Sequence, residues 1–192
     1  MAGLMRGPVL VRVAGLLVLG TLTLAILARG LTLYGGVLAY IHLVDLVFHE
    51  AGHPIFGLFG SFMGALGGSL NQVLIPAVCT GSFLWRGQLA AAAVTLFWTG
   101  ESLVDVAIYV ADGRDMKLPL LAEGLTHDWN WILSELSLRN QAEPIGRAVF
   151  GLGVLVLLAA LALLAYDLLR VLTAPASADV LSSAATPDRK AR

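Results

Sequence analysis

The 192-residue chain has a single cysteine, Cys79, so no internal disulfide can staple it. Charge is scarce as well: Asp, Glu, Lys and Arg make up only 13% of the residues. Soluble domains carry about a quarter charged residues, so this shortage excludes an ordinary water-exposed surface. Twelve basic and thirteen acidic residues give a net charge of −1. No basic stripe is interleaved with aromatics, which excludes a nucleic-acid partner. No segment recurs at a fixed period, which argues against solenoids and against the paired halves common among transporters.

What is abundant is apolar sequence, at 58% of the chain. Its long uncharged runs predict an all-α polytopic membrane protein with four to five transmembrane helices. Residues 13–28, bracketed by Arg12 and Arg29, read as a first span or signal anchor. A cleaved leader is disfavoured because "AILARG" offers no small-x-small cleavage site. The second segment covers residues 31–59. The third, 61–83, is rich in glycine and carries Asn71, Gln72 and Pro76, so it is expected to be interior or re-entrant rather than lipid-facing. The fourth, 88–111, is interrupted by Glu101 and Asp105, and the last, 148–166, is a plain apolar span. In the polar connector between them, "HDWNWILSELSL" predicts a short interfacial helix with Trp129 and Trp131 at headgroup level. The organisation is thus one helical membrane domain over residues 1–171 and a polar, disordered tail over 172–192. Such a chain belongs among lipids, in a membrane of the bacterial cytoplasmic type.

Inside the second segment stands "VFHEAGHPIF". Ionisable residues at membrane depth need a partner, a metal or a water-filled cavity. His49 and His53 are spaced i, i+4, so on a helix they share a face about 6 Å apart along the axis, within reach of one Zn²⁺. Glu50 is then placed as the general base for a water activated by that metal. The same stripe runs back through Asp45 and His42. Asp45 is expected to accept a hydrogen bond from the second ring nitrogen of His49, and His42 to line a cavity.

A catalytic zinc needs a third protein ligand. Asp105 and Glu101 lie i, i+4 on one face of the fourth segment at a depth matching the histidines, and Asp105 is the first choice. Asp112 lies nearer the surface, and His127 in the connector can fold back over the site. Asn71 and Gln72 are candidates for stabilising an oxyanion or for pairing neighbouring helices.

Over about thirteen residues, "FHEAGHPIFGLFG" resembles the zinc helix of the site-2 protease class of membrane-embedded metallopeptidases. That resemblance implies a motif within a transmembrane helix and a distant aspartate completing the metal site. Ala111-Asp112-Gly113 partly matches the L-D-G-like element that supplies it, without the leucine. Glu101 and Asp105 also resemble the E-x-x-x-D motif of gluzincins, in which the glutamate is the ligand. The function implied is a zinc metallopeptidase acting on a membrane-spanning or juxtamembrane peptide. The alternatives are a zinc hydrolase of a non-peptide amide or lipid, and a non-enzymatic metal-binding or transport protein.

Overall fold

In a computed structural model, which describes residues 6–32, 35–119 and 126–173, every element among the described residues is helical. The helices are α1 (Arg6–Arg29), α2 (Val37–Gly57), α3 (Ser61–Trp85), α4 (Leu89–Asp112), α5 (Asp128–Glu135) and α6 (Ala142–Thr173). Helices follow from the apolar sequence, since in hydrocarbon each backbone N–H and C=O must be satisfied within its own segment. The residues proposed as a tail from 174 onward lie outside the described residues.

Among the described residues, four helices are long and apolar enough to cross a membrane: α1, α3, α4 and α6, with mean hydropathies between 1.3 and 2.8. The protein is therefore an all-α, multi-pass membrane protein. The glycine-rich third segment is one continuous helix of 25 residues and is among the four. α2, which carries the histidine motif, is not among them, because His42, Asp45, His49, Glu50 and His53 interrupt its apolar sequence.

α4 is the central helix, with buried residues all along its length. It packs antiparallel on α6 at small residues; a Cβ on Gly100 would lie 2.9 Å from the backbone nitrogen of Leu157. α3 runs antiparallel to α4, with Gln72 beside Asp105 and Thr80 bonded to Thr95 at 2.9 Å. Arg12 pairs with Asp167 at 2.7 Å, so α1 starts beside the end of α6. A core containing Leu19, Ile26, Leu38, Phe97, Leu157 and Leu164 joins α1, α2, α4 and α6.

α2 lies closely against α3. A Cβ on Gly52 would come within 2.1 Å of the Gly67 carbonyl oxygen, so only glycine permits this approach. Near its start, His42 meets Asp105 and Tyr109 in the last turns of α4. Near its end, His53 meets Gly64 in the first turn of α3. α2 thus runs antiparallel along α3, from Gly64 beside His53 to Asn71 beside Phe48, and its start packs through Leu38 into the core with Phe97. Pro54 removes the N–H that would bond the Glu50 carbonyl, which loosens the helix at the motif.

Candidate metal centre

His49 and His53 face the same side of α2, with ring centroids 4.9 Å apart. Each ring is oriented through Nδ1. His53 Nδ1 lies 2.9 Å from the Gly64 carbonyl oxygen, which can only accept, so this nitrogen carries the hydrogen. His49 Nδ1 lies 2.7 Å from Gln72 Oε1. The Gln72 amide is itself oriented, because its Nε2 donates to Asp105 Oδ2 at 3.1 Å; Oε1 therefore faces His49 and accepts from it. In the neutral tautomer both imidazoles then present Nε2 as an acceptor.

Those two acceptors meet a third. Asp128 Oδ2 lies 3.1 Å from His49 Nε2 and 3.4 Å from His53 Nε2. With both rings neutral these three atoms have no hydrogen to share, and either a cation among them or a proton on His49 Nε2, donated to Asp128, satisfies them. The spacing suits a small cation: tetrahedral zinc with bonds of about 2.0–2.1 Å separates its ligands by about 3.3 Å. Glu50 stands beside the set, and ligand-type atoms of His49, Glu50 and His53 lie within 4.8 Å of one another. Gly68 leaves the room that His49 occupies, since a Cβ there would sit 2.5 Å from Nε2.

Asp128 arrives through the connector, which folds back over the bundle. His127 caps α5, its Nδ1 accepting from the Asn130 backbone N–H at 3.2 Å, and its Nε2 lies 3.3 Å from Asp112 Oδ2. Trp129 Nε1 donates to Ser69 on α3 at 3.0 Å, and Asn130 Nδ2 donates to the Gly113 carbonyl at 2.7 Å. These bonds fix the first turn of α5, and with it Asp128. The expected short helix is present, and its Trp129 is tethered to α3.

The other candidates are distributed differently from expectation. Asp105 does not meet the two histidines of the motif; its Oδ1 pairs with His42 Nδ1 at 2.8 Å and its Oδ2 receives Gln72. It reaches His49 through Gln72. Asp45 faces α4, with Oδ1 accepting from Trp98 Nε1 at 2.6 Å and from Ser102 at 3.2 Å, and not from His49 as the stripe had suggested. Glu101 is completely buried beside Asp45, one turn from Asp105, and neither it nor Asp105 pairs with Arg86 or Arg114. Asp112 accepts from the backbone N–H groups of Lys117 and Leu118 at 2.9 and 3.0 Å. Asn71 donates to the Phe48 carbonyl at 2.7 Å and so pins α3 to α2. Gln72 and Asn71 thus act as helix-to-helix contacts.

Asp128 is the residue that sequence reasoning passed over. Its signal was faint: an acid at the start of a predicted helix, next to the one connector residue, His127, already considered for folding back.

A cavity of about 270 Å³ opens at this cluster. Its walls include His42, His49, Glu50, His53, Gln72, Asp105, Tyr109, His127 and Asp128. A scan against protein-family models finds no match for this chain, and no curated protein or solved structure matches it.

Proposed function

We propose that the chain is a membrane-embedded zinc metallopeptidase, with His49, His53 and Asp128 as metal ligands and Glu50 as general base. The observation that carries this reading is the convergence of three ligand-type atoms, with His49 Nε2 and His53 Nε2 lying 3.1 and 3.4 Å from Asp128 Oδ2. A zinc ion held there would supply Lewis-acid polarisation of a water and of the scissile carbonyl. The protein's own residues do the rest. Gln72 and the Gly64 carbonyl hold the two rings in the tautomer that presents Nε2. Glu50, exposed to the cavity and without a hydrogen-bond partner among the described residues, takes the proton of the attacking water and returns it to the leaving amine. Asp105 orients Gln72, and His42 in turn holds Asp105.

A binding or transport site needs ligands and no base, so the Glu50 carboxylate beside the cluster favours hydrolysis. The chain's helical spans suit a cytoplasmic-type membrane, since the outer-membrane alternative is built from β-strands. The reading is tested by metal analysis of the purified protein, together with cleavage of single-span membrane peptides by wild type and Glu50→Gln, with and without a zinc chelator.

A further inference from the structure

Between α2 and α4, apart from the metal cluster, two acids meet in the interior. Asp45 and Glu101 are both 0% exposed, and the Glu101 carboxyl lies within hydrogen-bond reach of the Asp45 carboxyl. Of their four oxygens only Asp45 Oδ1 is engaged, by Trp98 Nε1 at 2.6 Å and the Ser102 hydroxyl at 3.2 Å. Asp45 Oδ2 and both oxygens of Glu101 are shut off from the surface and have no hydrogen-bond partner among the described residues. Asp105, one turn along α4 from Glu101, adds a third carboxyl rather than a counter-ion. The basic side chain of this region, His42, is taken by Asp105 at 2.8 Å.

Two ionised carboxylates placed in this way would each lose hydration, repel one another and have no hydrogen between their facing oxygens. A single proton removes the repulsion and supplies that hydrogen. Its owner follows from the partners: an indole N–H and a hydroxyl donate to Asp45 and favour its charged form, whereas nothing donates to Glu101. A metal ion would need several ligand atoms to converge. Among the described residues, His, Cys, Asp and Glu side chains converge so only at His49, Glu50 and His53.

We infer that Asp45 and Glu101 form a buried proton-binding site, in which Glu101 is a neutral carboxylic acid that donates its proton to Oδ2 of the Asp45 carboxylate. The bond is charge-assisted and joins α2 to α4 one turn before His49. Asn71 and Gln72 tie the same stretch of α2 to α3. The helix that carries the histidines is thus held by two neighbours, and its hold on α4 contains a proton. The site needs neither zinc nor catalysis.

Infrared spectroscopy of the purified full chain in detergent at neutral pH tests this, because a protonated carboxylic acid has a C=O stretch well separated from the carboxylate and amide bands. Wild type should show such a band. It should shift when the glutamate carboxyls are labelled with ¹³C, stay in place when the aspartates are labelled, and disappear in Glu101→Gln. Absence of the band, or a band that follows the aspartate label, would overturn the inference, and the labelling needs no variant to fold. Thermal unfolding supplies a second readout. Glu101→Gln keeps a donor to Asp45 and should unfold close to wild type, whereas Glu101→Leu removes it and should unfold at least about 2 °C lower than the Gln variant. Equal midpoints for the two variants would overturn the bond to Asp45. Stabilisation of wild type by added Na⁺ or Ca²⁺ that is lost in Glu101→Gln would put a cation in place of the proton and overturn the inference as well.

Discussion

Asp128 Oδ2 and His49 Nε2 are 3.1 Å apart, although 79 residues separate them in the chain. The pairing decides which acid should matter to the metal. Asp128→Ala should lower zinc affinity by more than about 100-fold, since it removes a ligand. Asp105→Ala, acting only through Gln72, should lower it by about 10–100-fold, the range for residues that orient ligands. Chelator competition on purified protein measures both. Equal or reversed losses would return Asp105 to the metal.

The second prediction concerns Gln72. Gln72→Leu keeps the approximate volume but removes the acceptor for His49 Nδ1 and the donor to Asp105. Zinc affinity should fall by about 10–100-fold while the protein stays folded in detergent. A change of less than about twofold would show that the ring is held by packing alone.

Glu50→Gln separates a base from a ligand. Bound zinc should remain near one per chain, whereas peptide turnover should drop at least about a hundredfold. Parallel loss of metal and activity would instead make Glu50 a ligand and undo the proposed division of roles.

Gly68→Ala probes the space beside the ring. The added methyl would need the place held by His49 Nε2, from which it would be 2.5 Å away, so the imidazole must swing out of the cluster. Metal content should fall as far as in His49→Ala, with helical circular dichroism unchanged. The same substitution at Gly81, where a Cβ meets nothing within 4 Å, should change neither.

The last prediction is about stability. Asp45 accepts the Trp98 indole N–H and the Ser102 hydroxyl. Asp45→Ala leaves buried donors unpaired, a loss of about 1–3 kcal/mol, and should lower the detergent unfolding midpoint. Asp45→Asn keeps an acceptor and should lower it less. Because Asp45 does not contact His49, zinc affinity in the Asn variant should be close to that of wild type.

The parts of this protein that are visible in its sequence are those governed by local rules. Apolar runs mark the helices, and the i, i+4 spacing puts His49 and His53 on one face wherever α2 happens to lie. Helical periodicity, however, compares only residues on one helix. Asp45 and His49 differ by 40° around the axis, enough for Asp45 to turn toward Trp98 instead. Asp105 was singled out by depth alone, and depth does not reveal that His42 and Gln72 claim both its oxygens. The path of α2 was hidden for a similar reason, since length and composition describe a helix without saying which neighbours it packs against. Asp128 depends on a connector folding back through Trp129 to Ser69 and His127 to Asp112, contacts between residues 15 and 60 positions apart.

Asp112 holds the chain at two places: it binds the backbone just after α4 at Lys117 and Leu118, and it faces His127 immediately before Asp128. The stretch between those two grips is bracketed by a single side chain. Losing Asp112 would therefore free the chain both where it leaves α4 and where it returns at Asp128.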